Sequence, residues 1–211
     1  MDNAPAPAPA PAPAPEPQAQ PEPKRTLVGY PIVWGAVARS PILDQRDGIL
    51  KRFQFERGSI KFSDAGVVAL VHHTPHQFVA GTPNDTLRLT EDDHGIRAEI
   101  DLDDTTDSDN AYKRIKSGLI KGMSFGGAMP DGSVKVAPGV YRVDPRTGGQ
   151  MTVGEVTITP TPRMKEATIA IAGTPEAEKI ISTAKESATR RLNDRLNSYK
   201  LATYRTGRVS G

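Results

Sequence analysis

The sequence predicts a β-rich α+β domain, preceded by a disordered proline-alanine tract and followed by a C-terminal helix. Three observations predict it. Nine of the 19 prolines fall in the first 23 residues, mostly alternating with alanine. Such a segment has almost no apolar side chains to bury and cannot offset the entropy of ordering itself. Most apolar segments after it are short and β-prone, or alternate with polar residues. Only one internal stretch and the end of the chain show the recurrence of a helix. The division expected is residues 1–25 for the tract, 26–173 for the folded domain and 174–211 for an amphipathic basic helix and flexible tail. The middle part, roughly 150 residues, suits one domain with a single core.

The tract ends in Pro21, Glu22, Pro23, Lys24 and Arg25. Alternating proline and alanine favours extended, semi-stiff conformers, so it reads as a spacer, with a proline-motif ligand as the alternative. Thr26 to Val37 is apolar and β-prone, and Pro31 within it indicates an edge or a bulge. Val67 to Val71 reads as a buried strand. Thr86 to Leu89 and Ile96 to Leu102 alternate around the polar segment Glu91 to Gly95, the pattern of a hairpin. Between them and the next strand, Ala111, Ile115 and Leu119 recur every four residues, after Asp107 or Ser108 as a cap and before Gly118 or Gly122 as a stop. Gly122 to Met129 and Gly154 to Ile158 read as further strands, the second stopped by Pro160 and Pro162. Thr174-Pro175-Glu176 opens the last helix, with cap, first-turn proline and acid in sequence. Ile181, Ala184, Ala188, Leu192, Leu196 and Tyr199 form its thin apolar stripe, and Arg190, Arg191 and Arg195 make it basic. It reads as a helix packed on the domain or on a partner, with a nucleic-acid arm as the alternative. Its end, Thr206 to Gly211, is expected to fray.

Composition narrows the chemistry. A net charge of +2, from 27 basic and 25 acidic residues, gives no argument for an obligatory nucleic-acid partner. No apolar run approaches the roughly 18 residues of a membrane span. The start of the chain lacks the basic and then apolar pattern of a secretory signal. With no cysteine, disulfides, thiol nucleophiles and thiolate metal sites are excluded. The imidazoles available are His72, His73, His76 and His94.

Gly122-Met123-Ser124-Phe125-Gly126 fits the G-x-S-x-G pattern of a nucleophile elbow. A serine hydroxyl needs a positioned base, and that base needs a third group to fix its tautomer and stabilise its charged form. In α/β-hydrolases the histidine follows the serine, whereas all four histidines here precede Ser124. That fold is excluded unless another subunit lends the base. A chymotrypsin-like double barrel needs a longer chain, and no Gly-Asp-Ser-Gly segment is present. Strand alternation would turn one of His72 and His73 inward and the other outward. His76, beyond Pro75 in a turn, and His94, in the hairpin turn, are expected in solvent.

Taken together, Leu70-Val71-His72-His73-Thr74-Pro75, then Thr86 through Asp92, then Gly118 through Gly126 resemble the caudoviral prohead serine protease family, the capsid-maturation enzymes of tailed phages. Gly29-Tyr30 and Glu155-Val156-Thr157-Ile158 also fit, and the likeness covers about residues 26 to 172. It implies a herpesvirus-protease-like fold, a small β-barrel with surrounding helices. It implies Ser124 as nucleophile, His73 as base, since His72 stands where the family commonly has a polar residue such as asparagine, and Glu155 as third member. For the oxyanion it suggests Gly126 and Gly127 through their backbone, or Arg163. Two positions depart from the pattern: Thr74 replaces the usual acid after the histidine, and Pro162-Arg163 stands where Pro-Ala is frequent. The implied substrates are the major capsid protein and scaffold, cleaved in the host cytoplasm inside the assembling prohead. No cofactor or metal is implied, and a homodimer or higher oligomer fits the family.

Two rival readings remain. His72, His73 and His76 with Asp92, Asp93 and His94 would be a metal shell, although Pro75 prevents an i, i+4 histidine pair on a helix. A catalytically inactive capsid-assembly or scaffold module of the same fold would keep the pattern without the chemistry.

Overall fold

A computed structural model describes residues 25–206, with side chains to residue 198 apart from residue 195. The Pro-Ala tract, the end beyond residue 206 and the side chains of Arg195 and Tyr199 lie outside the described residues. The strands are β1 (Thr26–Val33), β2 (Ile42–Asp44), β3 (Ile49–Phe55), β4 (Ile60–Phe62), β5 (Val68–Val71), β6 (Thr74–Gly81), β7 (Leu87–Glu91) and β8 (Gly95–Asp101). Helix α1 (Thr106–Lys116) follows, then β9 (Gly122–Gly127), β10 (Val134–Ala137), β11 (Val140–Val143), β12 (Met151–Thr159), β13 (Ile169–Ile171) and helix α2 (Pro175–Thr206). No helix among the described residues is long and apolar enough to cross a membrane.

The strands form three sheets, ordered β13-β1-β8-β7, β10-β11-β3-β2 and β4-β12-β5-β6, with β9 on the other side of β12. All three send side chains into one core. Leu27 and Ile32 enter it from the first sheet, Phe53 and Phe55 from the second, Met123, Val156 and Ile158 from the third, and Ala111 and Ile115 from α1. The β-rich architecture with surrounding helices is the one expected. Its enclosure comes from packing, because no ladder among the described residues links the last strand of a sheet back to its first.

Local chemistry explains the elements that matter for the site. Pro31 coincides with a register shift between Gly29 and Ile32 in the β1–β8 ladder, so proline is accommodated at a bulge on a central strand. The β7–β8 hairpin is the predicted one, Leu87 to Glu91 facing Ile100 to Ile96. Helix α1 starts earlier than expected: Thr105 is the cap, its hydroxyl accepting from the Ser108 N–H. It stops at the first of the two expected glycines: the helix runs to Lys116, Ser117 caps it and Gly118 takes φ +75°. Leu119 therefore leaves the helical stripe and is 69% exposed, while Ile120 fills the core. Helix α2 lies on the outer face of β1 and β13, where Ala177 meets Val28 and Ala170, and Ala184 meets Tyr30 and Val33. That covering explains why β1 is buried on both faces. Leu192 and Leu196, expected in the apolar stripe, are exposed.

Candidate active site

The site is assembled on the sheet containing β12. Strand β5 ends at Val71 and β6 begins at Thr74, and these two residues are register partners. His72 and His73 are therefore the two-residue loop of a hairpin, each with φ +57°. Left-handed backbone at both loop positions matches the strand twist in such tight hairpins. Histidine is among the few residues with a β-carbon enriched in that region, and holding it there costs about 1 kcal/mol or more per residue. Strand alternation does not apply to these two residues, because the strand has already stopped. His76 lies on β6 itself, not in a turn. His94 is half-buried rather than solvated, its ring packed edge-on against Tyr30 at 4.7 Å.

The turn aims the two imidazoles apart. His72 Nε2 accepts from Arg114 Nη1 of α1 at 3.2 Å. His73 Nδ1–H donates to Glu155 Oε1 at 2.5 Å, with Thr157 Oγ1 3.3 Å from the same nitrogen and 3.4 Å from that carboxylate oxygen. Glu155 and Thr157 are two apart on β12 and so share a face. The carboxylate fixes the proton on Nδ1 and leaves Nε2 free to accept.

The serine comes from the neighbouring strand. In the antiparallel β9–β12 ladder Ser124 stands opposite Thr157 and Gly126 opposite Glu155. Directly opposite residues put their side chains on one face of the sheet. Ser124 therefore shares the face of Thr157 and Glu155, while Met123, Phe125, Val156 and Ile158 point into the core. Ser124 is 2% exposed, and among the described residues its hydroxyl makes no hydrogen bond, to His73 or to any other group. Both Ser124 and the His73 ring adjoin Thr157. In serine hydrolases generally, the serine-to-histidine hydrogen bond is often long in the free enzyme and tightens on the substrate.

The remaining expected residues are placed differently. A β-carbon at Gly126 would come within 2.5 Å of Glu155 Oε1, so the glycine admits the carboxylate. A β-carbon at Gly127 would lie 2.0 Å from the Thr152 carbonyl oxygen, so that glycine serves the close approach of β12. Arg163 follows Pro162, which packs on Gly122 at the start of β9. Its carbonyl accepts from the Arg39 N–H at 2.8 Å, and among the described residues its guanidinium has no hydrogen-bond or ion-pair partner. No three His, Asp or Glu side chains among the described residues form a group that could hold a metal ion. Sequence reasoning missed Thr157 and Arg114. Thr157 was recoverable from its spacing of two from Glu155; Arg114 carried no local signal, because it reaches His72 across 42 residues.

A strand serine on the sheet face that also carries a carboxylate-held imidazole is a residue set that serine hydrolases use. The family model described as caudovirus prohead serine protease matches residues 15–183, and the chain belongs to that family. It is accordingly a serine peptidase. No curated protein matches the sequence. Among solved structures it is similar to the KSHV protease crystallised with a hexapeptide phosphonate inhibitor, at 12% identity and a TM-score of 0.41, covering 83% of this chain and 77% of that one.

Proposed function

We propose that Ser124, His73 and Glu155 are the catalytic triad of an endopeptidase that cleaves capsid and scaffold proteins inside the assembling prohead in the host cell. The observation carrying this reading is the Glu155–His73 hydrogen bond on the sheet face that also bears Ser124. Ser124 Oγ attacks the scissile carbonyl carbon, and its proton passes to His73 Nε2. Glu155 stabilises the imidazolium that forms. His73 then gives that proton to the leaving amine as the C–N bond breaks. A water, deprotonated by the same nitrogen, releases the acyl group and restores the serine. The developing oxyanion needs donors, and losing one such donor commonly costs about 3–4 kcal/mol. Arg163 is a side-chain candidate for that role, because among the described residues its guanidinium has no partner and it follows the proline packed against the start of β9. Gly126 and Gly127 remain candidates through their N–H groups.

The test is co-expression with the cognate capsid protein, read by intact mass. Ser124→Ala is expected to abolish processing with the fold unchanged by circular dichroism, and the same capsid fragments from that variant would refute the serine mechanism. His73→Ala is expected to be severe and His72→Ala milder, and the reverse order would reassign the base.

A further inference from the structure

The face that carries the proposed triad continues past Glu155. In the parallel β5–β12 ladder Val68 stands opposite Glu155 and Leu70 opposite Thr157, and Leu70 is in turn opposite Phe78 of β6. Ala69 and Val71, on either side of Leu70, point into the core cluster, whereas Leu70 is 3% exposed yet takes no part in that cluster. Val68 and Phe78 are 37% and 61% exposed. These residues and Pro75 wall an open groove of about 480 Å³ that ends at Glu155. That volume is in the range of ligand sites, about 300–1,000 Å³. Gly126, Gly127 and Gly154 complete its lining.

Building on the protease reading, we propose that this groove receives a large apolar side chain of the substrate and sets the cleavage-site preference. Two features select that occupant. The walls are apolar, and the one charge at the rim, Glu155, is engaged by His73. An acidic side chain would be repelled there. A basic one would lose its water to the apolar walls and compete with His73 for the carboxylate. The groove is also continuous with the triad, sharing Glu155 and Gly126. Strands lie about 4.8 Å apart, so β5 is roughly 10 Å from the nucleophile's strand, a distance that an extended peptide covers in about three residues. A side chain within about four residues of the scissile bond therefore reaches Leu70 and Phe78.

The test digests a denatured proteome with the full-length protein and sequences the products by mass spectrometry. The wild type is expected to show Leu, Ile, Met, Phe or Tyr enriched at one position within four residues of the cut. Phe78→Ala and Phe78→Glu alter an exposed side chain. They are expected to lose that enrichment and to cut a peptide matching it with a kcat/KM lower by about 10- to 100-fold. Labelling of Ser124 by a small fluorophosphonate, which does not reach the groove, is expected to stay at the wild-type rate. An unchanged preference in both variants would overturn the proposal. So would a changed oligomeric state with unchanged preference, which would assign the groove to contact between copies. A wild type that neither cuts nor takes the probe would reject the protease reading itself, and the groove with it.

Discussion

Gly126 and Gly127 are adjacent, but a methyl group would strike different things at each. At 126 it meets the Glu155 side chain, whose Oε1 would be 2.5 Å away and whose Cγ and Cδ would be 2.9 Å away. That chain is flexible and can swing aside, which would take the carboxylate off His73. Gly126→Ala is expected to lower kcat by up to about 10⁴-fold, the order lost when the acid of a serine triad no longer holds its histidine, with a melting temperature within a few degrees of wild type. At 127 the obstacle is backbone, Thr152 O at 2.0 Å and Val153 Cα at 2.9 Å. Gly127→Ala is expected to lower the melting temperature and the yield of folded protein before any effect on chemistry can be read. Equal stability losses in the two variants would contradict this division. Both glycines stood out in the sequence as oxyanion candidates, but what packs against them did not, since that is decided by a strand 25 or more residues later. Ser124, His73 and Glu155 were legible through the resemblance, and Thr157 only through its spacing from Glu155.

Helix α2 is held to the domain by a polar cluster as well as by its alanines. Arg191 Nη1 donates to the Asp93 and His94 carbonyls at 3.1 and 3.2 Å, and its other terminal nitrogen reaches the Trp34 carbonyl. The His94 ring contacts Ser187 Oγ, and Tyr30 Oη donates to Asp92 at 2.6 Å. Burial first, then the Arg191 charge, lower the His94 pKa, against a smaller opposing effect of Asp92. The released histidine therefore takes up a proton at about pH 6.5, while the docked one resists it to lower pH. The docked state is favoured above that range and loses stability as pH falls through it. The protection factors of residues 177–191, corrected for intrinsic exchange, are expected to fall between about pH 7 and pH 5, and His94→Gln to flatten that dependence. An equal fall in the variant would exonerate His94. At this scale the sequence was clearest where burial alternates locally, as in β7–β8. Strand β3 was hidden because the inward position preceding Phe53 and Phe55 is Lys51, 6% exposed, whose ammonium binds Asp44 at 2.8 Å. Strand β10 gave no alternation because all four of its residues are exposed.

Across the whole molecule, β12 has the most partners: β4 and β5 in parallel on one side and β9 antiparallel on the other. The parallel pairings, Glu155 with Val68 and Val140 of β11 with Arg52 of β3, join residues nearly ninety apart. Nothing local in a sequence marks such pairings, which is why the strands were more legible than their order. Ile158, fully buried at the end of β12, ties this strand to the core. Ile158→Ala is expected to cost about 2–5 kcal/mol. Activity should then fall with the unfolded fraction in urea, and activity vanishing well before the unfolding transition would show that the site is softer than its scaffold. The hairpin apex at His72 and His73 carries a last consequence. Two neighbouring residues with β-carbons keep left-handed backbone, closed in by the Val71–Thr74 pair and by the Arg114 contact to His72, so the proposed general base sits on a strained turn. Switching the enzyme off would require no plug in its cleft: slackening the end of that hairpin would let the chain recoil and carry the imidazole away from its carboxylate.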